Sequence, residues 1–138
     1  MGRKRSYITS SDLKRLREVL EAAREFHLED DVYIRELENE LDRAEVVEPE
    51  DAPRNLVTMN CRVRVRDLDT QEVEVYWLVY PGNASAREEK VSIFAPVGVA
   101  LLGKRPGDIV KVEVPAGLRR VRVEDVVQEA EAAGAFQL

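Results

Sequence analysis

The chain has 138 residues, 44% of them apolar and 35% charged, with a net charge of −6, which is enough for one domain with its own core and too apolar for a disordered chain. No apolar run approaches the roughly 18 to 20 residues that cross a bilayer, and the basic start MGRKRS leads into polar residues instead of the apolar stretch of a secretory signal. A soluble cytoplasmic protein with no membrane partner is expected, and the single cysteine, Cys61, excludes an internal disulfide and suits a reducing compartment.

Charge is unevenly placed along the chain. Residues 1–24 carry 7 basic and 3 acidic side chains, net +4, whereas residues 25–51 carry 2 basic and 12 acidic ones, net −10. Residues 53–138 hold 12 of each. In the first third, Leu13, Leu16, Leu20 and Ala23 repeat with helical spacing, and so do Ile34, Leu37, Leu41 and Ala44. Ser10 or Ser11 can cap the first helix and Asp30 or Asp31 the second, because each offers an oxygen to an orphan backbone N–H. The link between them is short, so the pattern predicts an antiparallel hairpin, a stubby coiled coil of about 15 residues per helix and roughly 22 Å. This N-terminal helical hairpin occupies residues 1–52, ending at Asp51-Ala52-Pro53.

Beyond it the period changes to two. Val57, Met59, Cys61, Val63 and Val65 alternate with Thr58, Asn60, Arg62, Arg64 and Arg66, and Val73, Val75, Trp77 and Val79 alternate with Glu72, Glu74, Tyr76 and Leu78. These predict two half-buried strands whose turn sets Arg66 against Glu72, Arg64 against Glu74 and Arg62 against Tyr76. Further strands are expected at residues 90–94, 109–114 and 118–127, with one short helix at 96–102. The fold class is therefore α+β: the helical hairpin, then an antiparallel sheet domain with one short helix over residues 53–138.

Few residues point to chemistry. Residues 98–104 match the GxxxxGK of a P-loop, but Arg105 stands where the magnesium-binding hydroxyl belongs and the four spacers are apolar helix material. Gly103 reads instead as a helix C-cap. His27 and Cys61 have no zinc spacing. Asp67, Asp69, Glu72 and Glu74 read as ion-pair partners of neighbouring arginines, and the basic Arg62, Arg64, Arg66, Arg120 and Arg122 lie on a neutral body next to an acidic hairpin. Direct sequence-specific DNA binding, a cofactor and a catalytic site are not expected.

One longer element is more informative. APVGVALLGKRPGD, residues 95–108, resembles the C-terminal domain of bacterial GreA/GreB transcription elongation factors, where an S/A-P-x-G-x-A-L-L-G element precedes a Gly-Asp turn and the next strand. NELDRAEVVEPEDAP (39–53), VTMNCRV (57–63), LVYP (78–81) and EAAG (131–134) are similar to the Rnk subfamily, the regulators of nucleoside diphosphate kinase. The resemblance runs from about Asn39 to Leu138 and covers the first helix poorly. It implies an FKBP-like sheet domain behind a coiled coil, with RNA polymerase, near its secondary channel, as partner.

In Gre factors a long coiled coil carries an acidic tip that presents a metal to the polymerase and stimulates cleavage of backtracked RNA. Here the hairpin is much shorter, and the tip, Leu28-Glu29-Asp30-Asp31, lacks the Gly-Asp-Leu-x-Glu-Asn pattern. Glu29, Asp30 and Asp31 are the hairpin-tip candidates, able to bind magnesium through hard carboxylate oxygens or simply to cap a helix, with capping preferred. Gre-type docking also uses an acid two residues before the signature proline. Phe94 occupies that position and Pro96 is retained, so Phe94 and Pro96 are the polymerase-binding candidates, Phe94 being either a surface contact or core. The expected function is a non-enzymatic regulator that docks at the secondary channel and competes with Gre cleavage factors. The alternatives are a cleavage factor acting through the acidic tip and a peptidyl-prolyl isomerase, the latter suggested by the fold alone.

Overall fold

The computed structural model describes residues 6–26, 31–114 and 117–128. An extended segment, β1 (Tyr7–Thr9), feeds directly into α1 (Ser10–Glu25). Thr9 is the last extended residue, so it takes the capping role expected of Ser10 or Ser11, and its Oγ1 accepts the Asp12 N–H at 3.2 Å. The second helix, α2 (Val32–Arg43), is capped by Asp31, whose Oδ1 accepts the N–H groups of Tyr33 and Ile34 at 2.8 and 3.4 Å. Leu16, Leu20 and Ala23 meet Ile34, Leu37 and Leu41 in a buried seam, as the helical spacing requires. Ion pairs Arg17–Asp42 and Arg24–Glu38 cross it and show the helices to be antiparallel. Being exposed, these pairs align the helices more than they stabilise them.

After α2 the chain enters β2 (Glu45–Val47), which pairs with β1 in parallel, Ile8 opposite Val46. Parallel neighbours need a long crossover, and the two helices supply it. The main sheet contains β3 (Cys61–Asp67), β4 (Val73–Val79), β5 (Lys90–Ser92), β6 (Ile109–Val114) and β7 (Gly117–Gln128), in the order β5-β4-β3-β7-β6. All its pairings are antiparallel except β4 with β5. Between β5 and β6 lies α3 (Pro96–Leu101), with Pro96 in its first turn. The strand expected over residues 90–94 stops at Ser92, because the Ser92 carbonyl and Oγ accept the N–H groups of Ala95 and Phe94, both at 2.9 Å. Side chains from α1, α2, α3, β1 and the sheet form one continuous buried cluster.

The pairing of β3 with β4 departs from expectation by one residue. Arg66 lies opposite Val73, Arg64 opposite Val75 and Arg62 opposite Trp77. The cause is the loop. Asp67 N–H donates to the Glu72 carbonyl at 2.8 Å and Gln71 N–H to the Asp67 carbonyl at 2.7 Å, while Asp67 Oδ1 takes the N–H groups of Asp69 and Thr70. That four-residue loop closes with Gln71 at φ 67°. A one-residue shift in a period of two exchanges the faces of the strand. Glu74, Tyr76 and Leu78 therefore share the side of Val63 and Val65, and Val73, Val75 and Trp77 share the side of the arginines.

The arginines nevertheless find acids on their own sheet, on β7 instead of β4. A bulge between Arg64 and Val65 and the facing strand leaves Glu124 unpaired in the ladder, and its carboxylate takes both Arg66, at 2.8 Å, and Arg122, at 3.1 Å. Arg64 lies 3.7 Å from Asp125, and Arg62 stacks over the Trp77 ring at 5.5 Å. On the opposite side, Arg119 Nε donates to Asp67 Oδ2 at 3.0 Å and its Nη2 to Glu74 Oε1 at 2.8 Å, where the Tyr76 hydroxyl also donates at 2.7 Å.

The Thr70 N–H and Arg119 hold Asp67 below the ordinary carboxylate range, and Arg119 and Tyr76 do the same for Glu74. A depressed folded pKa contributes stability that is present above the unfolded value and is lost as pH falls through the folded one. Arg119→Met is expected to be less stable than wild type at neutral pH, with the gap narrowing as pH drops below about 4, the unperturbed carboxylate range. Urea unfolding across that pH range checks this, and a gap independent of pH would contradict it.

Candidate functional site

The structure places the signature segment, residues 95–108, where the helix pair joins the sheet. At Gly98 a Cβ would stand 2.4 Å from the Ser92 carbonyl oxygen and 3.1 Å from Ile93 Cα, so α3 lies directly on the chain leaving β5. Gly103 ends the helix at φ 82°, and a Cβ there would stand 2.8 Å from the Tyr7 carbonyl oxygen. This close approach lets Tyr7 N–H donate to the Gly103 carbonyl at 3.4 Å, while Gly103 N–H donates to the Val57 carbonyl at 3.0 Å. The next residue, Lys104, extends its Nζ to Ser6 Oγ and the Leu102 carbonyl, each at 3.4 Å, with Glu40 of α2 at 4.0 Å. Burial lowers the Lys104 pKa. The residues that mimic a P-loop are thus a joint: both glycines are needed for close backbone contact, and the lysine is enclosed between α2, β1 and the body.

Two further contacts secure the joint, and no local sequence pattern signals either. Asp12 of α1 accepts the Met59 N–H at 3.0 Å, 47 residues away in sequence, and Arg15 lies over the Tyr80 ring at 4.4 Å. Burial raises the Asp12 pKa, partly offset by the Met59 and Thr9 hydrogen bonds and by Arg15. Asp12→Ala leaves a half-buried Met59 N–H without its acceptor, which costs about 1–3 kcal/mol. Asp12→Asn keeps an acceptor and removes the penalty of the charge, so it is expected to lose much less. Equilibrium unfolding of the two variants separates the roles of hydrogen bond and charge. By the same packing argument, Gly98→Ala lowers the melting temperature, and an unchanged midpoint would refute the close approach of α3.

Beside the joint runs an open groove of about 490 Å³ between α2 and the α3–β6 face. Tyr33, Glu36 and Glu40 form one wall, and Pro96, Val99 and Lys111 belong to the other. Pro96 therefore borders a concave surface. Phe94, two residues earlier, is partly buried and packs against the core. Asp31 is the cap of α2, and Glu29, Asp30 and His27 lie outside the described residues, as does the EAAG segment. Flanking the tip, Phe26 and Val32 are 75% and 50% exposed. Among the acids expected to pair with arginines, Asp67 and Glu74 meet Arg119 and Asp69 meets Arg120 at 3.0 Å. Arg119 carries no sequence signal beyond the Arg119-Arg120 doublet beside a strand. Among the described residues no helix is long and apolar enough to cross a membrane.

Residues 52–128, the whole sheet and α3, match the family model for the C-terminal part of the transcription elongation factors GreA/GreB. The chain belongs to the GreA/GreB transcription elongation factor family. Residues 7–47 match the Rnk N-terminus, which places the chain in the Rnk subfamily and extends its likeness across α1, the helix that the quoted motifs covered poorly.

The Regulator of nucleoside diphosphate kinase of Escherichia coli strain K12 is 44% identical over 103 residues, covering 74% of this chain and 76% of that one. Transcription elongation factor GreA of Thermodesulfovibrio yellowstonii is 42% identical over 83 residues, 60% of this chain and 52% of that one. Among solved structures, a prokaryotic transcription elongation factor GreA/GreB from Nitrosomonas europaea superposes with a TM-score of 0.71 at 39% identity, covering 91% of this chain and 99% of that one.

Proposed function

We propose that this chain is a transcription regulator that binds RNA polymerase at its secondary channel and competes there with Gre cleavage factors, while stimulating no cleavage itself. In this reading residues 1–52 act as a helical hairpin and residues 53–138 as an FKBP-like docking body, with Phe94 and Pro96 at the polymerase contact and Glu29, Asp30 and Asp31 at the hairpin tip. Family membership supports the partner. The observation that carries the competitor reading is helix length: α1 has 16 residues and α2 has 12, which at 1.5 Å per residue makes an arm of only about 24 and 18 Å. A family-type body on so short an arm can occupy a shared docking site without extending into an active centre. The Asp31 carboxylate is already committed to two backbone N–H groups of α2. Residues 25–51, at net −10, favour a basic partner surface and an association that weakens with salt.

The test is RNA cleavage in backtracked elongation complexes driven by a Gre factor, with this protein titrated in at low salt. Cleavage is expected to fall as the protein is added and to be absent when it replaces the Gre factor. Asp30→Asn with Asp31→Asn is expected to leave the suppression in place. Cleavage that is unchanged at large excess overturns the reading, and cleavage driven by this protein alone and lost in the double variant assigns the tip a catalytic part instead.

A further inference from the structure

We propose that the free edge of β6 is self-complementary and pairs with β6 of a second copy, joining two five-stranded sheets across a two-fold axis. β6 ends the sheet, with β7 on one side and no described strand on the other. Val123 N–H donates to the Asp108 carbonyl at 2.9 Å. Alternation along an antiparallel ladder then turns the backbone N–H and C=O of Ile109, Lys111 and Glu113 away from β7. All three residues are exposed, Ile109 to 57%. Such an edge is a template for another strand. The opposite edge, β5, has only three residues and is bridged at Ser85. On the β6 side, an open groove separates Lys111, Val112 and Glu113 from α2.

The partner is identified by charge. A lysine in the middle of an edge strand ordinarily deters pairing, but here Glu113 follows Lys111 on the same face of β6, and among the described residues neither forms an ion pair. With a two-fold axis through Val112, perpendicular to the sheet, Lys111 stands opposite Glu113 of the second copy, and Glu113 opposite its Lys111. The same register joins residues whose backbone groups point outward, giving two hydrogen-bonded pairs. Moving the axis to Lys111 or Glu113 sets like charges face to face, which cross-strand pairing disfavours. The charge pattern thus selects an isologous contact of one register. Pairing through one six-residue strand buries less than the roughly 1,200 Å² of a standard stable interface, so the dimer is expected to form reversibly with concentration.

Sedimentation equilibrium of the full chain over a concentration series, with no polymerase present, tests this independently of the regulatory reading. Wild type is expected to dimerise. Lys111→Glu and Glu113→Lys, each turning two attractions into repulsions, are each expected to raise the dimer Kd about tenfold. The double variant restores opposite charges in the same register and is expected to return to within a few-fold of wild type. Both positions are solvent-facing, and circular dichroism verifies that each variant is folded. Amide exchange at Lys111 and Glu113 should slow with concentration in the wild type. A monomer at the highest soluble concentration overturns the proposal, as does a dimer indifferent to the single swaps or not restored by the double one.

Discussion

A Cβ at position 103 would stand 2.8 Å from the Tyr7 carbonyl oxygen, and the rest of the structure depends on there being none. Because the chain can pass that close, β1 reaches the body, β2 pairs with β1, and both helices are anchored at the same end. Lys104 follows at once and is enclosed against Ser6 and Glu40, so the docking closes over a cation that burial makes costly to keep charged. The Asp12 carboxylate on the Met59 N–H repeats the theme from the other side. Polar contacts define the seat, and the buried seam of Leu16, Leu20, Leu37 and Leu41 supplies the apolar burial behind it.

The sheet is built with unequal faces, and its hairpin loop decides which is which. With Asp67 accepting from two loop N–H groups and Glu72 receiving the Asp67 N–H, β4 enters one residue out of the register that charge pairing alone would choose. Opposite charges across two exposed strands are worth only a few tenths of a kcal/mol to about 1 kcal/mol, less than closing a loop with its polar groups satisfied and placing Leu78 in the core. The arginines then meet acids on β7, where a bulge presents Glu124 to two of them. The stripe that resembles a nucleic-acid surface in the sequence is largely neutralised by its neighbours.

These two features give the family fold its particular form here. The body matches the C-terminal part of the GreA/GreB factors, and the helix pair matches the Rnk N-terminus. Seating the short helices by several independent contacts gives them a defined direction from the body. Pro96 and the first turn of α3 border the groove between these parts, so the signature segment serves both as joint and as exposed surface.

The residues alone determined the helices, their buried stripe, the main strands and the short α3, because periods of 3.6 and 2 and the Pro and Gly at the helix ends are local properties. They also carried the family, through the run at residues 95–108, and they argued against a P-loop through Arg105 and the apolar spacers. Pro96 was legible as a candidate from the same run, whereas the groove beside it was not, since no local pattern reports how far α2 stands from β6. Only the tertiary structure decided the β3–β4 register, the β1–β2 pair, the Asp12–Met59 bond and the pairing of Arg119 with Asp67 and Glu74. Each joins residues distant in sequence or turns on a one-residue difference in loop closure. Such choices depend on the summed packing and hydrogen bonding of the whole chain, which composition and periodicity do not encode.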